Sequence, residues 1–241
     1  MSSDERIPAG TSEEAYSGVD NLDAMEQAVN YRRFLVGLIE SAGTAAVGRR
    51  VLDFGSGTGT YASDARGRGF DVTCVELDPG LQARLRAQGF STLSSPGDVE
   101  GSFGLVYSFN VLEHIDDDVG ALASLLEATA VGGTLLLYVP AFPVLYSSMD
   151  RKVGHLRRYR RRDLVDKTTR AGFVVDSCRY ADSLGFPASL AYRFLGDRSG
   201  GIGGITLYDR YLFPVSRLLD RLVGRFFGKN LVLRAHRPLS T

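Results

Sequence analysis

The sequence predicts an α/β fold, a largely parallel sheet covered by helices, and three observations carry that reading. Apolar runs of strand length alternate with segments of helical period along most of the chain. A glycine-rich turn, Gly55-Ser56-Gly57-Thr58-Gly59, stands between the first strand and the helix after it. The strand that follows ends in an acid, Glu76, 21 residues beyond Gly55.

The first helix signal is Asp23 with Glu26 three residues later, a capping-box pattern. Ala28, Tyr31, Leu35, Leu38, Ile39 and Ala42 then recur at helical spacing, a stripe that needs a sheet to cover it. Residues 50–54 read as a short buried strand, 61–67 as a short helix and 70–76 as a second strand. Helix 81–88, strand 90–94, strand 105–109, helix 119–130 and strand 135–139 continue the alternation. After a loop, 140–160, come a helix near 163–171 and a strand near 174–180. The glycine-rich stretch 196–204 reads as a mobile loop, and an amphipathic helix around 208–227 precedes a last strand, 230–235. With no internal repeat, residues 21–241 read as one domain behind a polar, disordered 1–20. Within that domain, 140–160 and 181–228 are insertions on the ligand side.

Composition narrows the classes of function. Twenty-eight Lys and Arg balance 28 Asp and Glu, which argues against nucleic-acid binding through net charge. The longest apolar run, 135–146, holds two prolines and falls well short of the ~20 residues that span a bilayer. The first 30 residues carry seven acids and one base, the wrong chemistry for a signal or transit peptide, so cytoplasmic residence is expected. Only Cys74 and Cys178 are present, too few for a disulfide framework or a cysteine metal cage. Glycine, about 12% of the chain against a usual ~7%, points to tight turns or close backbone approach to a ligand.

The run Val51-Leu52-Asp53-Phe54-Gly55-Ser56-Gly57-Thr58-Gly59 resembles motif I of the class I S-adenosylmethionine-dependent methyltransferases. The similarity continues through 72–79, through 103–115 and through Val131-Gly132-Gly133-Thr134-Leu135, in the family's order and over roughly residues 25–180. It implies a single Rossmann-like, seven-stranded, mostly parallel sheet with helices on both faces and one antiparallel strand near the C-terminus. It also implies the cofactor S-adenosyl-L-methionine. By position, Gly55, Ser56, Gly57 and Gly59 would line the methionine and ribose, and Asp53 would hold the α-amino group. Glu76 would take the ribose hydroxyls, Leu77 would pack on adenine and Asp98 would meet the adenine amine, with Tyr31 and Asn110 completing the pocket. The chain departs from the family at Phe103-Gly104, where Phe-Asp is usual.

Methyl transfer from a sulfonium needs alignment and exclusion of water, and a general base only where the acceptor is protonated. His155, in the loop after the fifth strand, and His114, after the fourth, are the candidate bases. His236, near the end of the chain, reads as a surface residue. Arg157, Arg158 and Tyr159 are candidate contacts for an anionic acceptor, within a stretch, 151–170, holding nine Lys or Arg. The acids beside His114, namely Glu113, Asp116, Asp117 and Asp118, suit a helix N-terminus better than a metal, so no metal is expected. The basic amphipathic helix near the end is open to three readings: core packing, a lid over an apolar acceptor, or contact with a membrane surface. The function expected is methyl transfer to a hydroxyl, amine or activated carbon of a small molecule, which could be lipid-like. Two alternatives are kept: a nucleotide-cofactor oxidoreductase using NAD, against which Thr60 stands where the dinucleotide fingerprint wants Gly or Ala, and a non-catalytic module that binds the cofactor.

Overall fold

The computed structural model describes residues 28–44, 46–99, 101–195 and 202–239. The proposed capping box at Asp23 and Glu26, the segment 1–20 and most of the glycine-rich loop lie outside them. Seven strands form one sheet: β1 (Arg50–Phe54), β2 (Asp71–Val75), β3 (Ser91–Leu93), β4 (Phe103–Phe109), β5 (Thr129–Pro140), β6 (Val174–Ala181) and β7 (Asn230–His236). Their order is β3-β2-β1-β4-β5-β7-β6, and only β7 runs antiparallel, to both β5 and β6. The Rossmann-like expectation therefore holds.

The helices are α1 (Val29–Gly43), α2 (Thr60–Gly67), α3 (Pro79–Ala87), α4 (Asp118–Ala128), α5 (Ser148–Lys152), α6 (Arg161–Arg170), α7 (Gly185–Leu195), α8 (Ile202–Leu207) and α9 (Phe213–Val223). Neighbouring residues of a strand point to opposite faces, and the sequence fills both. Val51, Leu105, Tyr107, Leu136 and Tyr138 pack with Tyr31, Leu35 and Ile39 of α1. Leu52, Val106, Leu137 and Val139 pack on the other face with Leu122 and Leu125 of α4 and Leu164 of α6. Strand order reverses between β1 and β4, and the crevice beyond their carboxyl ends is where open α/β sheets bind ligands.

Three local features explain departures from the expected elements. Gly104 stands where the family has Asp because the loop before β1 crosses β4 there: a Cβ would lie 2.1 Å from the Val47 carbonyl oxygen. Helix α7 escapes the sequence reading because its opening Gly185-Phe186-Pro187 carries breaker residues, although proline is tolerated in a first turn. The region 140–160 is more than a loop. It holds α5, closed by a capping box between Ser147 and Asp150, and returns alongside β5 through a bridge from Ala141 to Tyr159.

The insertion 181–228 folds back to the N-terminal helix. A π-helical turn, Tyr208–Leu212, carries Asp209, whose carboxylate accepts from the backbone N–H groups of Asn30 (2.9 Å) and Tyr31 (2.8 Å). α1 has no side-chain cap of its own, so Asp209 supplies the acceptors that a helix start lacks. α9 buries only Phe213 and Ser216, while Val215, Leu218 and Leu222 face outward together with Tyr211, Leu212 and Phe226. Phe213 joins the core beside Tyr31 and Phe34, so core packing accounts for one side of this helix and leaves its apolar outer side uncovered. No described helix is long and apolar enough to cross a membrane.

Candidate active site

The first half of the crevice is built by β1, the glycine turn and the end of β2. Gly55 has φ +80°, and a Cβ there would lie 2.3 Å from a methyl carbon of Val111, so both conformation and space demand glycine. The Gly57 N–H donates to Oε2 of Glu76 at 2.8 Å, and Oε1 accepts from the N–H groups of Leu77 (2.8 Å) and Asp78 (3.0 Å). Glu76 thus ties the two turns together, leaving roughly one of a carboxylate's ~four acceptor positions for a ligand hydroxyl. The Ser56 hydroxyl donates to the Asp53 carbonyl at 2.8 Å, and Gly59 caps the start of α2. Asp53 is 3% exposed, and its Oδ2 has no hydrogen-bond partner among the described residues. Burial raises its pKa to about 7, opposed in part by the nearby Tyr107. Leu77, by contrast, is 77% exposed. Across the crevice the Asn110 amide donates to the Tyr31 hydroxyl at 3.1 Å, and Asn110 itself holds φ +54° at the end of β4.

The second half is built by the turn after β4 and the segment after β5. Glu113 is fully buried, neither of its carboxylate oxygens has a hydrogen-bond partner among the described residues, and burial raises its pKa to about 8. His155 Nε2 lies 3.7 Å from Glu113 Oε1, and its Nδ1 lies 2.8 Å from Asp150 Oδ1. The rings of His114 and His155 meet edge to face at 4.8 Å, and His114 Nδ1 lies 3.2 Å from the Gly154 carbonyl oxygen. Burial, then the neighbouring His155, lowers the His114 pKa to about 4, which makes His114 a poor base near neutral pH.

The residues read as acceptor contacts are engaged inside the protein. Arg158 donates to both oxygens of Asp150, at 2.8 and 3.1 Å. Burial alone would raise the Asp150 pKa, but the bonds from His155 and Arg158 hold it well below the usual carboxylate range. Arg157 pairs with Asp118 at 2.9 Å, and the Tyr159 hydroxyl, in a residue only 2% exposed, donates to Asp118 Oδ2 at 2.9 Å. Asp118 also accepts from Lys167 at 2.5 Å, so these bonds outweigh burial and lower its pKa. Of the acids expected at the helix start, Asp117 does cap α4 by accepting from the Gly120 N–H at 2.9 Å, whereas Asp118 turns inward. Asp98 is set apart from this group: it lines a cavity of about 380 Å³ with Arg50, Ser91 and Phe103, the first residues of β1, β3 and β4. His236 lies partly exposed, 2.8 Å from Asp176. Asp150 went unnoticed in the sequence, although Ser147-x-x-Asp150 ahead of a short helix is the capping pattern that could have found it.

A family model described as a methyltransferase domain matches residues 28–177, well over half of the chain and close to the span of the motif resemblance. The chain belongs to this family. The oxidoreductase alternative is set aside by that match. A malonyl-[acyl-carrier protein] O-methyltransferase of Erwinia billingiae is 30% identical over 104 residues, which cover 41% of each chain. A ubiquinone biosynthesis O-methyltransferase of Xanthomonas campestris pv. campestris is 30% identical over 110 residues, 40% of this chain and 45% of that protein. The matched part thus spans less than half the length of these relatives. Among solved structures, Haemonchus contortus phosphoethanolamine N-methyltransferase 2 with S-adenosyl-L-methionine superposes with a TM-score of 0.56 at 18% identity, covering 84% of this chain and 51% of that one. The glycopeptide N-methyltransferase MtfA gives 0.54 at 16% identity, covering 84% and 87%. These structural likenesses establish the fold.

In this methyltransferase domain the first half of the crevice fits the cofactor implied by the family. Asp53 offers a buried oxygen that lacks a donor, which suits an ammonium group. Gly55 and Gly57 of the glycine turn are only partly buried, and Leu77 presents an apolar surface to solvent beside Glu76.

Proposed function

We propose that this chain transfers the methyl group of S-adenosyl-L-methionine to a small-molecule acceptor. The observation that carries the reading is the buried Asp53, whose Oδ2 has no hydrogen-bond partner among the described residues, beside the Glu76-braced glycine turn in a chain that belongs to the methyltransferase domain family. When bound, the cofactor supplies an electrophilic methyl on a sulfonium, a leaving group that needs no further activation.

The chain's own residues hold and align. Asp53 receives the α-amino group, the backbone of Gly55, Ser56, Gly57 and Gly59 approaches the methionine and ribose, Glu76 accepts from a ribose hydroxyl, and Leu77 covers the base. Tyr31 and Asn110, joined by their hydrogen bond, close the crevice from the α1 side. Where the acceptor is protonated, His155 is the protein group best arranged to take the proton. Asp150 fixes the ring with hydrogen on Nδ1, which leaves Nε2 as the basic atom.

The names of the curated relatives favour oxygen as the methylated atom. The outward apolar face of α9, interleaved with Arg221 and flanked by Arg210 and Arg225, favours an acceptor presented at an anionic lipid surface. Calorimetry with S-adenosyl-L-methionine and with NAD tests the cofactor. Glu76→Ala is expected to weaken binding of the former by about 1.5–3 kcal/mol, the usual worth of hydrogen bonds to a charged group. Transfer of labelled methyl to hydroxyl, amine and carbon acceptors, free and on anionic vesicles, then tests the acceptor class. No transfer to any of them by a chain that binds the cofactor would favour the binding-module reading.

A further inference from the structure

We propose that Glu113, His114 and His155 form a binding site for one divalent first-row transition-metal ion of the zinc class. Sequence spacing alone did not show this set, because His155 arrives from the segment after β5. Each of the three residues contributes one ligand atom, and the three atoms lie within 4.8 Å of one another. Metal–nitrogen and metal–oxygen bonds of about 2.0–2.2 Å place ligand atoms closer than that, so small side-chain movements would close the site.

The independent observation is the Glu113 carboxylate. It is fully buried, it accepts no hydrogen bond among the described residues, and one of its oxygens faces His155 Nε2 at 3.7 Å, too far for a hydrogen bond. A buried carboxylate left this way is costly, and a cation shared with two imidazoles removes the cost.

The surroundings resemble those that orient metal-binding histidines. Such a ring commonly donates its other N–H to a carboxylate or a backbone carbonyl. His155 does so to Asp150, which Arg158 and Ser147 hold in turn. His114 Nδ1 faces the Gly154 carbonyl oxygen. The backbone is fixed as well: the Leu156 N–H donates to the Glu113 carbonyl, and the Tyr146 hydroxyl donates to that of His155, at 2.8 and 2.7 Å.

Two imidazoles and one carboxylate favour a transition metal over Mg²⁺ or Ca²⁺, which take oxygen ligands. Three protein ligands leave a position for an oxygen of another molecule. The site stands on these side chains alone. Only its link to methyl transfer rests on the reading above: an ion here would engage His155 Nε2 and would itself lower the pKa of a bound acceptor hydroxyl.

The test is calorimetry and Co²⁺ absorption spectroscopy on the full chain after chelator treatment, with circular dichroism as a check on folding. Wild type should bind one equivalent of Zn²⁺ or Co²⁺ that Mg²⁺ does not displace. Asp150→Asn should weaken binding roughly 10–100-fold, Glu113→Gln should weaken it more, and His236→Gln should leave it unchanged. Should Glu113→Gln fail to fold, His114→Gln, at a half-buried position, provides the same comparison. Folded wild type that takes up no stoichiometric Zn²⁺ or Co²⁺, or ligand variants that bind as tightly as wild type, would overturn the site. Metal binding is read without the cofactor or an acceptor, so its failure is separate from failure of the methyltransferase reading.

Discussion

The two halves of the crevice contain similar residue types and treat them in opposite ways. Around the glycine turn, Asp53 keeps an oxygen without a donor and Leu77 keeps most of its surface in solvent. Around the β4 turn and α5, charged groups are matched within the chain: Asp118 with Tyr159, Arg157 and Lys167, and Asp150 with His155, Arg158 and Ser147. Glu113 is the exception there. The difference teaches that a charge in the sequence states only a capacity. Whether that capacity faces a ligand depends on partners which the fold brings from elsewhere, 49 residues away for Asp118 and Lys167.

Removing a partner from the matched half should therefore cost stability. Asp150 is 1% exposed and the Arg158 side chain 8%, so Asp150→Ala would leave a buried guanidinium without its carboxylate. Breaking such a pair typically costs 3–5 kcal/mol, and about that loss is expected in urea unfolding of the metal-free chain. The double variant Asp150→Ala/Arg158→Met should recover a large part of it. A loss under about 1 kcal/mol would show that the network is no structural clamp and would return Arg158 to the acceptor contacts.

The open half should show its character through pH. The Asp53 pKa stands at about 7, against 3.8 for an ordinary aspartate, because burial penalises its charged form. Between those values the native state holds a proton that the unfolded chain has released, so Asp53 makes the ligand-free protein less stable as pH rises through this window. An ammonium group reverses the preference. Affinity for S-adenosyl-L-methionine should then rise with pH up to about 7, by at most about tenfold per unit, and level off above it. Asp53→Asn should flatten this part of both profiles. A wild-type affinity independent of pH would move the ammonium contact away from Asp53.

The sequence revealed the open half more fully than the matched half, for a physical reason. Strand, glycine turn, helix and terminal acid lie within about thirty consecutive residues, and what they offer is largely backbone geometry dictated by local residue type. All seven strands were legible in the same way, from apolar runs bounded by turns, with boundaries shifted by a few residues and β5 starting earlier than expected. Arg157, Arg158 and Tyr159 read as acceptor contacts because a basic run looks the same whether its partners are ligands or, as in the fold, Asp150 and Asp118. The pairing of Glu113 with His155 joins two loops across 42 residues, and no periodicity announces it.

The smallest expected effect separates the two halves most cleanly, because it asks for affinity without stability. Leu77 is 77% exposed, so truncating it removes little surface that folding had buried, and Leu77→Ala should change unfolding free energy by less than about 0.5 kcal/mol. Its backbone N–H still donates to Glu76, so the turn keeps its shape. Covering part of a leucine side chain with an adenine ring is worth on the order of 1 kcal/mol, since burial yields about 0.8 kcal/mol per methylene and the ring covers one side only. Calorimetry should accordingly show S-adenosyl-L-methionine bound about fivefold more weakly, with methionine alone unaffected. The opposite pattern, stability lost and affinity kept, would mean that Leu77 serves the fold and that the adenine packs on another residue near Glu76.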